Sequence, residues 1–307
     1  MKHQENPLSN LIDMEDPDAV IAEVKGMIGA VFPDFKFSRI DEAFTDINRL
    51  FRGEFPGYRA CNTAYHDLKH TTDCFLAMAR LIHGAIIEGE FFDQENVTLG
   101  LLAALFHDTG YIQSEVDTKG TGAKYTLMHI QRSIDFMWAY LKERRYPAHY
   151  CLEGKNMLHC TGLTAKIREI RFLSEETKTL GKMLGTADLL GQMADRTYLE
   201  KLLFLYREIQ EGGVPGCETE MEFLKKTEDF FKITQQRFIT ELGSVNRYMR
   251  SHFKSRWRLD ADLYARAIER HQDYLRHILQ NHRDGHRGYL RRGGIVSQLM
   301  NRNRGHL

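Results

Sequence analysis

The stretch LGLLAALFHDTGY, Leu99 to Tyr111, limits the possible folds more than any other part of the chain. Its first eight residues are hydrocarbon or glycine, so it belongs at the centre of a core. It then ends on an imidazole and a carboxylate, His107 and Asp108, before Thr109 and Gly110. An ionised carboxylate at the end of a buried segment is costly unless it is paired or bound to a metal. The partners of His107 and Asp108 must come from elsewhere in the chain.

The rest of the sequence predicts helices. There are 6 prolines in 307 residues, and β-branched runs are scarce. Amphipathic or apolar helical patterns are expected over residues 17–31, 38–51, 95–108, 125–144, 147–163, 174–193 and 196–213. Residues 62–87 open in a loop and become a long helix, and two further helices are expected over about 218–250 and 260–281. Ser38 and Ser174 are expected N-caps, and Gly110 is the expected C-terminal stop of the 95–108 helix. No strand pair is evident, so the fold class is all-α. The expected organisation is an N-terminal helical segment over 1–35, a metal-binding helical domain over 36–250, and a C-terminal helix with a basic tail over 251–307.

Composition excludes several classes of function. Lys+Arg and Asp+Glu are both 42, which gives no charge excess for a polyanion partner. No apolar run reaches the ~18 residues of a membrane span, and the N-terminus lacks a signal core. Five cysteines with no CxxC pair read as reduced thiols, so the expected location is the cytoplasm. From residue 282 onward the chain carries six arginines against one aspartate, which reads as a solvated tail.

Candidate partners for the His107–Asp108 pair share one property: they are polar where core is expected. In YHDLKHTTDC, His66 and His70 are four apart and share a helix face, and Asp73 can join them. His129 opens one helix pattern and His159 lies near the end of another. Asp188 continues the apolar stripe of Leu180 and Leu184. A shared divalent cation would supply the charge these carboxylates need, and imidazole is a common ligand of such ions.

The ordered set His70, His107–Asp108, Asp188 resembles the H…HD…D signature of the HD-domain metal-dependent phosphohydrolases, over roughly residues 60–240. That resemblance implies an HD-domain helical bundle with extra N- and C-terminal helices. Within that superfamily YHDLKHTTDC is similar to the Y-H-N-x-x-H-A-x-D-V stretch of cyclic nucleotide phosphodiesterases, with Asp67 in place of Asn. The resemblance implies that His66 is the proton donor, that His70 is a metal ligand, and that Tyr65 lines the substrate site. TQQRFI is similar to the S-Q-x-G-F-I segment of the same family. It implies that Gln235 grips a nucleobase and Phe238 stacks on it, although Arg237 replaces the Gly and would crowd a base pocket. Adding His129 and His159 gives a His–His–Asp–His–His–Asp set that resembles the dinuclear HD proteins. That set implies two divalent metal ions (Zn, Mg, Mn or Fe) bridged by Asp108.

The expected activity is hydrolysis of a phosphodiester, such as a 3′,5′-cyclic nucleotide, through a metal-activated water. Lys69 and Lys124 are candidate phosphate contacts, and Asp67 or Asp73 could orient a histidine. Two alternatives stay open: a dinuclear iron oxygenase acting on a small polyol or phosphonate, and a non-catalytic module that senses a nucleotide. The expected partner is a small nucleotide or phosphoester. A homodimer is allowed, and neither nucleic acid nor a membrane is expected.

Overall fold

The computed structural model describes residues 8–304. Among these residues every regular element is a helix, and the one β-type pairing is an isolated antiparallel bridge between Tyr58 and Ser114. The helices are α1 (Pro17–Val31), α2 (Ser38–Arg52), α3 (Leu68–Ile87), α4 (Gln94–Phe106), α5 (His129–Glu143), α6 (Ala148–His159), α7 (Glu175–Met193), α8 (Tyr198–Glu211), α9 (Glu220–Thr240), α10 (Tyr248–Trp257), α11 (Leu263–Asn281) and α12 (Ile295–Arg304). Short 3-10 turns link several of them. No helix among the described residues is long and apolar enough to cross a membrane. None of the five cysteines forms a disulfide.

α3 is the hub. It packs against α1, α4, α7 and α10, and every residue from His70 to Ala85 is buried. α4 is buried from Val97 to Phe106, as its apolar sequence requires. Local chemistry sets the helix starts. Asp16 caps α1 ahead of Pro17, and Ser174 forms a reciprocal capping box with Thr177 at α7. Ser38, by contrast, is the first helical residue of α2 rather than its cap, which is Phe37.

Two expectations about element boundaries are corrected. The helix anticipated over 218–250 is broken after Thr240, because Gly243 and Ser244 both take left-handed backbone angles, φ 63° and 56°. The turn reverses the chain and lays α10 across α3 at Gly84, where a Cβ would stand 2.0 Å from the Tyr248 carbonyl oxygen. The arginine-rich tail, anticipated as solvated, is docked as far as Leu299. Leu290, Ile295 and Leu299 are buried, and Arg287 pairs with Glu220 of α9 at 2.5 Å. Nη1 of Arg292 donates to the Arg196 carbonyl at 3.0 Å.

Candidate metal centre

Three helices and the turn after α4 deliver one cluster. Asp67 caps α3, its side chain accepting the His70 amide at 2.8 Å, and so begins the helix one turn before His70. α4 ends at Phe106, which leaves His107 and Asp108 in the turn that follows. Gly110 is not a left-handed helix stop. It allows a close approach: a Cβ there would lie 2.0 Å from the carbonyl oxygen of His129. α5 grips the same turn, Ser133 Oγ accepting the Gly110 amide at 2.9 Å and Arg132 donating to the carbonyls of Gly110 and Ile112. His129, at the start of α5, is thereby brought beside Asp108.

Nε2 of His70 lies 3.2 Å from Asp108 Oδ2, 3.2 Å from Asp188 Oδ1 and 3.2 Å from His107 Nε2. His107 Nε2 is 3.3 Å from the same Asp108 oxygen and 3.8 Å from Asp188 Oδ1. Two ring nitrogens at this separation need a proton or a cation between them, since two lone pairs repel. Ligands held about 2.0–2.2 Å from one ion lie roughly 3.0–3.5 Å from each other, so the spacing fits a shared metal. His70, His107 and Asp108 are all buried and form a group able to hold an ion. Asp108 Oδ2 has no hydrogen-bond donor of its own. A donor set of imidazole nitrogens and carboxylate oxygens suits zinc, manganese or iron.

The surroundings orient the rings. His107 Nδ1 lies 2.9 Å from the Ala104 carbonyl, and His129 Nδ1 lies 2.6 Å from the Thr126 carbonyl. A carbonyl only accepts, so each Nδ1 carries a proton and each Nε2 is turned into the site. Asp188 Oδ1 accepts from the Gln192 amide at 3.2 Å, and Gln192 in turn accepts from the Tyr65 hydroxyl at 2.7 Å. In the protein alone, burial opposes the charge on Asp108, but His107 and His70 outweigh it and hold the carboxyl well below the usual carboxylate range. Burial likewise works against charge on His70, yet Asp108 and Asp188 raise its pKa to about 9.

Asp108 faces histidines on both sides. Its Oδ2 meets His70 and His107, while His129 Nε2 approaches Oδ1 at 4.0 Å. The rings of His129, Tyr111 and His66 form a continuous stack, with centroids 4.7 and 4.2 Å apart. His66 Nδ1 is 2.7 Å from Oε2 of Glu208, a buried residue of α8. The other Glu208 oxygen accepts the amides of Ala64 and Tyr65 at 2.7 and 2.6 Å. With Nδ1 engaged, Nε2 is the free nitrogen of His66.

The remaining sequence candidates form no hydrogen bond or ion pair with the cluster residues. His159 ends α6, half-buried, and forms no ion pair with either carboxylate. Gln235 is exposed on α9 and Phe238 is packed into the core. Arg237, expected to crowd a pocket, instead donates to the carbonyls of Cys160, Gly162, Leu163 and Ala165 that follow α6. Lys69 is held by Asp73 at 2.6 Å and Lys124 by Asp117 at 2.5 Å, so neither amine is free for a phosphate.

The fold and the cluster define a class: an all-helical protein with a buried histidine–aspartate centre able to hold a metal ion. The family model for Npun_R2479-like proteins matches residues 55–272, most of the chain and every member of the centre. The chain belongs to the Npun_R2479-like family. No curated protein and no solved structure matches it. This assignment overturns the resemblance to HD-domain phosphohydrolases and cyclic nucleotide phosphodiesterases, because no HD-domain match accompanies it. The motif misled because it is four residues long. The nucleobase roles of Gln235 and Phe238 rested on that resemblance alone and fall with it.

Proposed function

We propose that this chain is a divalent-metal-dependent hydrolase of small phosphoesters, with a phosphodiester as the first substrate class to test. The observation that carries the reading is the pairing of two features at one cluster. A carboxylate is flanked by histidines on both of its oxygens, and a Glu208-anchored histidine lies beside it. A bound divalent ion supplies Lewis acidity and lowers the pKa of a coordinated water towards about 7. His70, His107, Asp108 and Asp188 would hold one ion. A second ion, if bound, would be held by Asp108 and His129. Glu208 accepts from Nδ1–H and orients the ring, so that a doubly protonated His66 would deliver the Nε2 proton to a departing alkoxide. Because Lys69 and Lys124 are already paired, the bound metal must carry most of the neutralisation of phosphate charge.

The test combines metal analysis of the purified chain with hydrolysis of phosphodiesters that differ in leaving group. General acid–base catalysis typically contributes ~10²–10⁴-fold. His66→Asn should retain metal and lose about that factor on alkoxide leaving groups, and much less on p-nitrophenolate. Equal losses on both would remove the acid role of His66. A metal-loaded wild type that hydrolyses no phosphoester, but binds two irons and consumes dioxygen, would replace this reading with an oxygenase.

A further inference from the structure

Beside His70 lies a cavity of about 10 Å³ lined by Tyr65, His70, Asp73, Gln192, Asp195 and Lys201. One water needs about that much room, ~10–15 Å³ on the same measure, together with two to four polar partners. Two buried polar atoms on the lining residues have no hydrogen-bond partner: His70 Nδ1 and Asp73 Oδ1. They belong to one face of α3, three residues apart. Every other polar group of the lining is committed. Asp73 Oδ2 takes Lys69 at 2.6 Å, Asp195 takes Lys69 and Lys201 at 3.4 Å each, and Tyr65 and Gln192 bond each other and then Asp188. Two orphaned atoms, a ring nitrogen and a carboxylate oxygen, therefore belong to residues that line a space of one water's size, and with His70 Nε2 turned into the cluster its Nδ1 is the nitrogen that carries a proton outward. Leaving either unsatisfied costs about 1–3 kcal/mol.

We infer that one ordered water fills this cavity, accepting from His70 Nδ1–H and donating to Asp73 Oδ1, and that Asp73 is a positioning residue for the metal centre. The inference rests on the metal reading of the cluster. It completes a pattern already present, since His107 and His129 are each fixed through Nδ1 by a carbonyl. His70 lacks such a carbonyl partner, and the water-linked carboxylate takes its place. Partners of this kind typically contribute 10–100-fold to metal affinity.

The experiment is a titration of Zn²⁺ into the chelator-stripped full chain, alongside a crystal structure of the zinc-loaded protein. Asp73→Asn keeps the volume but puts an amide where an acceptor is needed; zinc affinity should fall 10–100-fold with helicity retained. Lys69→Met breaks the ion pair on the other Asp73 oxygen, so it should lower thermal stability and leave zinc affinity largely intact. If both variants lose stability and neither loses affinity, Asp73 is only a structural ion-pair partner and the inference falls. The crystal structure needs no variant to fold. It should show a water within hydrogen-bond distance of both His70 Nδ1 and Asp73 Oδ1, and an empty or rearranged cavity would overturn the inference. A wild type that binds no zinc would overturn the metal reading as well, whereas zinc binding that is indifferent to Asp73→Asn would overturn this inference alone.

Discussion

Asp108 and Asp188 reach the same centre by different routes, and the difference decides what each substitution does. Asp108 sits in a turn and has no donor except histidines, while Asp188 keeps a neutral donor in Gln192. Asp108→Asn should therefore abolish tight metal binding, and the thermal stabilisation that added zinc confers on the wild type should vanish with it. That stabilisation should reach about 2.7 kcal/mol at a hundredfold excess over Kd, and differential scanning fluorimetry with and without metal reads it directly. Glu208→Gln should keep the metal and impair turnover, since it touches His66 and not the ligands. A loss of metal in Glu208→Gln would show that His66 is itself a ligand. His107–Asp108 was legible in the sequence because a polar pair stood at the end of an apolar segment. Glu208 was not: it lies 142 residues from His66, within a charged stretch that reads as solvated, and only packing buries it.

At the scale of elements, the turns matter more than the helices. Gly110 lets α5 touch the Asp108 turn backbone to backbone, so Gly110→Ala must push α5 away. Overpacking of this kind costs typically about 1–3 kcal/mol. The expected signs are a lower urea midpoint and weaker metal binding, because His129 moves with α5. The docked tail depends on Glu220, whose carboxyl is lowered to about 2: burial would raise it, but His286 and Arg287 outweigh that. A depressed carboxylate contributes stability above its unfolded pKa of about 4.5, and loses it as pH falls through about 2. Hydrogen exchange over residues 283–299 should be faster in Glu220→Gln than in the wild type at pH 7. The difference should shrink below pH 4.5 and vanish near pH 2. A difference that persists unchanged at low pH would show that the ion pair does not hold the tail.

The whole molecule carries an acid liability that no single element shows. Burial holds His271 neutral with a pKa lowered to about 4, its Nδ1 directed at the Met193 carbonyl at 2.9 Å. Burial also pushes His252 well below the ordinary histidine range, with Arg80 adding to it. A histidine lowered in the folded state binds its proton more readily when unfolded, so stability is present above about pH 6.5 and declines as pH falls towards 4. For His271 alone the decline is about 3 kcal/mol. Urea titrations at several pH values should show it, and His271→Gln should have a shallower slope over that window. An identical slope would place the acid sensitivity elsewhere.

The sequence by itself determined what is local and repetitive. The apolar periodicity made the chain helical, α1 and α7 began where Pro17 and Ser174 required, and the burial of α4 followed from a segment with no polar face. It also marked the histidines and aspartates that stand where core should be, because buried polarity is visible against an apolar pattern. Only the tertiary structure decided which of them meet. His129 and His159 are alike as residues near helix ends, but the close approach at Gly110 brings one to Asp108, while the other stays outside the ion pairs of the cluster. The same holds for the break at Gly243–Ser244, the docking of the tail and the burial of Glu208. Each depends on contacts between segments far apart in the chain, and the energy of such a contact belongs to the packed pair rather than to either sequence.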